Sequence, residues 1–451
     1  MERLGFWPPD EETARLTANL RNELEAIARQ LTPLRSRERE LERDIAKVGN
    51  VQALLAEIRT ARIERVKTER TARKIRRAQE KTDKAAQYEV WRKKTVPHLG
   101  YGVSGGLRYE GSDAARLEAV GLPVVQTAEE AATLLDLTTG ELAWLTYHRD
   151  AATIDHYRHF TIPKKSGGQR AISAPKPKLK AAQRAILDTI LAPVPVHEAA
   201  MAFRPATHIG HNAARHAGAK VLMRVDLKDF FPSIKLRRVK RVFQDLGYNE
   251  GVATLFALIS TEAPRAEVEF EGKKYFAALG DRCLPQGAPT SPAITNVMCR
   301  HLDNRMAGAA QKMGFLYTRY ADDLVFSSKE AKANVVGLKA LVETIITDEK
   351  LEVNPEKTAI LRPHTRQSVT GLVINEGEGQ GARVSREQMR KFRAFLHGYE
   401  TQGREAMTEK LGQDSLAYAQ GYLSFIHMVN PAQEAKLVAQ HPWLGRWRKS
   451  E

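Results

Sequence analysis

Residues 319–328 read RYADDLVFSS, and two adjacent aspartates inside a strand-forming run restrict the local fold more than any other feature of this chain. Along a single strand, alternation would send Asp322 and Asp323 to opposite faces, and side by side their charges repel. On a tight turn between two strands, both can lie near one site, where a divalent cation would relieve the repulsion. The run therefore predicts a hairpin whose first arm is GFLYTR. A third acid is needed, and the apolar strand KVLMRVD ends on it at Asp226. Three carboxylates meeting at strand ends make an oxygen site for a hard cation such as Mg²⁺. Two such ions can activate a 3′-hydroxyl and stabilise a leaving pyrophosphate during in-line phosphoryl transfer. Asp229, three residues beyond Asp226, is read as a turn cap instead.

The charge balance points to the partner. A net charge of +16 and a pI near 9.7 favour a polyanion, nucleic acid before membrane. Between Arg59 and Lys94, fourteen Lys and Arg face five acids, so more than half of the surplus sits in one stretch. Arg73, Lys74, Arg76 and Arg77 are its densest cluster. A solvated helix face with paired charges and a phosphate-binding arm are both open readings of it. Upstream, Leu20, Leu24, Ile27, Leu31 and Leu34 are spaced 4-3-4-3, and Leu41, Ile45, Val48 and Leu55 continue the register, with Glu38 and Gln52 interrupting. That seam suits a helical hairpin or a coiled coil. Thr32-Pro33 reads as an N-cap and first helical position, leaving two helices or one kinked rod. No apolar run approaches the roughly 20 residues of a membrane span, and the N-terminus lacks a signal-peptide stretch. Cys283 and Cys299 have neither metal-ligand nor redox spacing, so a reducing, cytoplasmic setting without membrane contact is expected.

LGYGVSGGL at 99–107 is a glycine-rich linker, and residues 127–149 form a small helical pair opened by a Thr127–Glu130 capping box. From Tyr157 strands alternate with helices, and the last seventy residues return to helix.

These blocks, in this order, resemble the motifs of a reverse transcriptase from about Tyr157 to Pro431. YRHFTIPKKSGGQRAISAP is similar to the fingers motif, VDLKDFFPSI to the first catalytic palm motif and LPQGAPTSPAITN to the template- and nucleotide-positioning motif. YADD is similar to the polymerase metal motif, LEVNPEKT to the palm lysine motif and QGYLSFIHMVNP to a thumb motif. Two shorter features resemble the retron branch of the group II intron-like superfamily: Asn212, Ala213 and His216 in HNAARH, and Val369, Thr370 and Gly371 in SVTGLV.

The resemblance implies an α/β (α+β) right-hand polymerase with fingers, palm and thumb, preceded by a long basic helical extension. The expected divisions are an extension at 1–98, a linker and helical pair at 99–150, fingers and palm at 151–375 and a helical thumb at 376–451. It implies two metal ions, Mg²⁺ or alternatively Mn²⁺, held by Asp226, Asp322, Asp323 and the Leu227 carbonyl. Phe231 would be the steric gate that selects dNTPs, and Lys165 and Arg170 would contact the triphosphate. Gln286 would lie near the nucleotide, Tyr320 near the primer end, and Lys357 would be a general acid or phosphate contact. Asn212, His216, Val369, Thr370 and Gly371 would belong to RNA recognition, with a structural role open for His216. Arg390, Lys391 and Arg393 would hold the duplex backbone, beside a thumb core of Phe392, Phe395 and Leu396.

Retron enzymes copy a structured noncoding RNA, priming from the 2′-hydroxyl of a guanosine, into single-stranded DNA joined to RNA, commonly in anti-phage defence with an effector. A separate effector and a host RNase H for template removal are therefore expected partners. The first hundred residues are not explained by the resemblance. Another bacterial reverse transcriptase, of the intron, CRISPR-associated or abortive-infection type, and a catalytically silent nucleic-acid scaffold are the rival readings.

Overall fold

The computed structural model describes residues 11–47, 51–105, 107–163, 167–375 and 381–444. The chain divides into two units, residues 1–90 and 91–451.

The first unit is helical, with α1 (Glu11–Lys47) followed by α2 (Val51–Lys94). Pro33 lies inside α1, and the Thr32 hydroxyl donates to the Ala28 carbonyl at 2.9 Å, an intrahelical bond. One helix therefore runs through the dipeptide that also fitted a helix start. Leu20, Leu24, Ile27, Leu31 and Leu34 are all exposed, Leu24 by 65%. Among the described residues these side chains join neither buried core.

In the second unit α3 (Ala114–Ala119), α4 (Ala128–Leu134) and α5 (Thr139–Thr146) bury Leu117, Ala131, Leu142 and Leu145 in the main core. Thr127 accepts the Glu130 N–H, but the Glu130 carboxylate turns to Gln126. The reciprocal capping box is instead Thr138 with Glu141, at the start of α5. After the short β1 (Ala151–Ala152), β2 (Tyr157–Pro163) and β3 (Gln169–Pro175) pair antiparallel as the fingers hairpin, His159 opposite Ser173. Next come α6 (Pro177–Ile186), which runs into a π-turn, and α7 (Ile209–Arg215).

The palm follows: β4 (Val221–Leu227), α8 (Phe230–Ser233), α9 (Leu236–Leu246), the buried α10 (Glu250–Ser260), and a hairpin of β5 (Arg265–Phe270) with β6 (Lys273–Ala278). Then come α11 (Thr290–Met298), α12 (Arg300–Lys312), β7 (Leu316–Tyr320), β8 (Asp323–Ser328), α13 (Val335–Asp348) and β9 (Val353–Leu361). The four-stranded sheet that carries Asp226 and Asp323 has the order β7-β8-β4-β9, antiparallel throughout. A small hairpin, β10 (Ser368–Val369) with β11 (Leu372–Val373), leads to the thumb helices α14 (Arg386–Leu411), α15 (Ser415–Val429) and α16 (Pro431–Gln440).

Strand alternation sorts the sheet into two cores. Val221, Met223, Val225, Leu324 and Phe326 join the large core with α9 to α13. Leu222 and Val325, on the other face, join a second core with Val369, Leu372, Phe392, Leu396 and Leu423. By the same period of two, Asp226 shares a face with Leu222, and Asp323 with Val325. The two acids thus lie at one end of the face whose other end carries the thumb-side core.

Candidate active site

β4 and β8 pair with Asp226 directly opposite Asp323. Cross-strand partners point to the same face, so two of the three acids meet by register alone. β7 and β8 are joined by the two-residue turn Ala321-Asp322, as Tyr320 pairs with Asp323. Ala321 takes φ 58°, a left-handed conformation that is sparse for a residue with a Cβ. The Asp322 carbonyl accepts the Leu227 N–H at 2.9 Å and ties the turn to the end of β4.

A β-bulge brings in the lysine. Arg224 pairs with Ala359 and Asp226 with Asn354, so β9 has extra residues between these two pairs. Pro355 has no N–H to offer the ladder, and proline inside a sheet belongs at such an irregularity. The Thr358 hydroxyl donates back to the Asn354 carbonyl at 2.9 Å. Lys357 thereby donates to both Asp226 oxygens, at 3.2 and 3.1 Å, beside the Asn354 amide at 3.2 Å.

The acids are electrostatically loaded. Burial, reinforced by Asp226, raises the Asp322 pKa, while Lys357 and Arg170 pull it back. Burial pushes Asp323 up to about 6 despite an Arg224 guanidinium 3.3 Å away. Among the described residues, no three His, Cys, Asp or Glu side chains form a ready-made cage for an ion. Asp226 and Asp323 are engaged by cationic side chains instead. The donor chemistry nevertheless fits hard divalent ions: the acids supply only oxygen, and Asp323 Oδ1 is buried without a hydrogen-bond partner.

Around these acids, Phe230 is buried in the core while neighbouring Phe231 is partly exposed, their rings 5.6 Å apart. Tyr320 is half-buried against Phe203, ring to ring 6.4 Å. Gln286 is half-buried, and its carbonyl accepts the Ser173 N–H at 2.8 Å. A Cβ at Gly287 (φ 123°) would lie 2.9 Å from the Ser173 carbonyl oxygen, so the fingers hairpin approaches this turn closely. Arg170 is exposed on β3, near enough to act on Asp322. Lys165 lies outside the described residues. Asp229 adopts φ 42° ahead of α8 with no side-chain capping bond, so the cap expected of its carboxylate is made by its backbone, which accepts the Ser233 N–H.

The two short signatures come together, yet mostly under the surface. Thr370 and Gly371 both have positive φ and form the turn between β10 and β11, and the Thr370 hydroxyl donates to the Ile209 carbonyl of α7. Val369 and Asn212 are fully buried, and His216 is 1% exposed, which corrects their assignment as nucleic-acid contacts. His216 bridges both arms of the acidic hairpin, Nδ1 to Ser327 and Nε2 to Thr318, each at 2.7 Å. Burial holds its pKa down at about 3, so the ring is neutral. Thr370 and Gly371 stay at the protein surface or partly so.

A positioning group went unforeseen. Arg319 is fully buried, makes a two-pronged ion pair with Asp303 at 2.8 and 2.7 Å, and donates to Asn296 and the Ala321 carbonyl. It thus holds the turn that carries Asp322. The signal was present: Arg319 shares its strand face with Tyr317, a position that period two makes inward.

In the thumb, Arg390, Lys391 and Arg393 are exposed while Met389, Phe392, Phe395 and Leu396 are buried, with Lys391 paired to Glu387 at 2.8 Å. Arg73, Lys74, Arg76 and Arg77 are all exposed on α2, Arg76 lying 3.5 Å from Glu80. No described helix is long and apolar enough to cross a membrane.

The family profile described as reverse transcriptase (RNA-dependent DNA polymerase) matches residues 162–392. The Retron Mx162 reverse transcriptase of Myxococcus xanthus is 42% identical over 377 residues, 79% of this chain and 76% of the relative. The Retron Mx65 reverse transcriptase of the same organism is 40% identical over 72% of this chain and 73% of its own length. The Retron Ec86 reverse transcriptase of Escherichia coli is 32% identical over 72% of this chain and 91% of its own. With the palm sheet, its acidic hairpin and the ordered motifs, these matches show that the chain belongs to the bacterial retron reverse transcriptases and is an RNA-directed DNA polymerase.

Proposed function

We propose that this polymerase copies a structured noncoding RNA into single-stranded DNA that remains joined to RNA, priming from a guanosine 2′-hydroxyl. The observation that carries the catalytic part is the Asp226–Asp323 cross-strand pair beside the half-buried, charge-strained Asp322. Asp226, Asp322, Asp323 and the Leu227 carbonyl would hold two divalent ions, Mg²⁺ or Mn²⁺. Bound there, the ions would supply an activated 3′-hydroxyl and charge neutralisation at the phosphates. Arg170 and Lys165 bring positive charge to a dNTP triphosphate, and Phe231 blocks a ribose 2′-hydroxyl. Lys357, now on Asp226, would be released toward the leaving pyrophosphate as acid or phosphate contact. Gln286 and Tyr320 would frame the nucleotide and primer end.

RNA would be held largely through its backbone. A groove of about 590 Å³ on the fingers is lined by Arg158, Lys176, Lys180 and Arg184 over Ala174 and Pro175, with no carboxylate among its lining residues. The exposed cations of α2 and α14 extend this basic character. Anti-phage action would require a separate effector, and template removal a host RNase H.

The test is to purify the protein from cells carrying its native locus and sequence the copurifying nucleic acid after separate RNase and DNase treatment. One discrete DNA joined to one RNA, absent with Asp322→Asn, is the expected result. Heterogeneous RNA, or DNA without an RNA branch, would overturn the retron-type product and leave a polymerase of another habit.

A further inference from the structure

Beneath the fingers hairpin lies a chain of polar side chains that the chemistry above does not use. Asp155 is 6% exposed; its Oδ1 accepts the Tyr157 N–H at 2.9 Å, and its Oδ2 meets His159 Nε2 at 2.8 Å. His159 Nδ1 lies 3.1 Å from the Ser173 hydroxyl on the opposite strand. The Glu262 carboxyl, 7% exposed, lies close enough to Ser173 and His159 for both to act on it. The far side of Glu262 is anchored, since its backbone exchanges bonds with Cys283 at 3.0 and 2.8 Å. Arg282 is tied to the Leu258 and Thr261 carbonyls. Ser173 is therefore held by the His159 ring with the Glu262 carboxyl close by, and its own N–H is the one that holds the Gln286 carbonyl.

We propose that Asp155, His159, Ser173 and Glu262 are positioning residues that dock the fingers hairpin on the Gln286–Gly287 turn and so set the affinity for the incoming nucleotide. The proposal rests on the polymerase reading of that turn. Geometry gives the network its leverage: Gly287 has no room for a Cβ against Ser173, so a small shift of β3 displaces the turn directly. Misplacing a binding group by about 1 Å is enough to cost up to about a hundredfold.

Proton count decides whether the clamp is complete. With one shared proton, either the imidazolium donates to Ser173 and the hydroxyl donates to the Glu262 carboxylate, or the acid donates to Ser173 and the hydroxyl donates to a neutral ring. Both arrangements satisfy every group. Remove that proton and one hydroxyl hydrogen faces two acceptors, so a bond is lost. Burial pushes Glu262 up to about 7, and the Asp155 bond raises His159. Arg282 and Arg265 act on this cluster from the palm side, and Lys176 donates to the Asp155 carbonyl. His156 and Tyr157 flank it on the hairpin's own strand.

The test is single-nucleotide primer extension by the full chain on a homopolymer template-primer, with kcat and the dNTP KM measured separately. Ser173→Ala and His159→Gln should raise KM about tenfold with kcat changed less than about twofold, and Ser173→Thr, which keeps the hydroxyl, should restore KM. Wild-type KM should climb as pH rises from 7 to 9, whereas Glu262→Gln, whose amide always donates, should hold it flat. If Ser173→Ala does not fold, the partly exposed His159→Gln carries the comparison. Unaltered KM in the variants, or a fall only in the active fraction, overturns the positioning role while leaving the polymerase intact. No dNTP incorporation by the wild type would overturn both.

Discussion

Asp322 and Asp323 carry charge the fold would rather neutralise, and their chemistry and stability should therefore separate. Asp322→Asn removes a carboxylate whose pKa burial and Asp226 already raise. It should abolish metal-dependent dNTP incorporation while leaving the thermal midpoint equal to or above that of the wild type. His216 behaves oppositely. Its folded pKa near 3 lies below the ordinary 6.5, so the unfolded chain takes up the proton first as pH falls. Its contribution is complete above about pH 6.5 and declines toward pH 3, with a loss of roughly 2 kcal/mol by pH 5. Urea unfolding at pH 7 and pH 5 should show that loss in the wild type and a smaller one in His216→Gln. Asp303→Asn would strand the buried Arg319 guanidinium and should cost roughly 3–5 kcal/mol, read in the same titrations.

At the scale of elements, the acidic hairpin and the bulge opposite it are the parts that shape the site. A tight turn was legible because like charges in a strand-forming run have few other places to go. Ala321 in that turn sits at φ 58°, where a β-branched residue is strongly disfavoured. Ala321→Val should destabilise the protein by about 1–2 kcal/mol and lower the incorporation rate, checked by thermal unfolding and primer extension. The bulge at 355–358 was hidden. Its proline is visible in LEVNPEKT, but which strand it opposes, and hence that Lys357 reaches Asp226, depends on pairing across 131 positions of chain. The capping box moved by one helix for a simpler reason, since the Glu130 carboxylate found the Gln126 N–H instead.

Across the whole molecule, positive charge is distributed where a polyanion could be held, on α2, on the fingers groove and on α14. Replacing Arg73, Lys74, Arg76 and Arg77 by Gln in the full chain should weaken RNA binding at low salt. The slope of log affinity against log salt should shrink by roughly 0.7 for each single-strand phosphate that the variant no longer neutralises. Extension of a generic template-primer should be spared, and an unchanged salt slope would remove α2 from the RNA-binding surface. The leucine seam of α1 is regular in sequence, and Leu20, Leu24, Ile27, Leu31 and Leu34 along it are exposed.

The sequence by itself determined the family, the order of the motifs, the basic character and which three acids to propose for the site. These are local or cumulative properties, carried by short blocks and by charge summed along the chain. Tertiary structure alone decided that His216 and Asn212 are buried, that Arg319 holds the Ala321–Asp322 turn through Asp303, and that Asp155 and His159 line up on Ser173. Periods of two and 3.6 reveal which face of an element turns inward. They do not say which distant side chain will be waiting there, because that partner is chosen by strand register and helix packing.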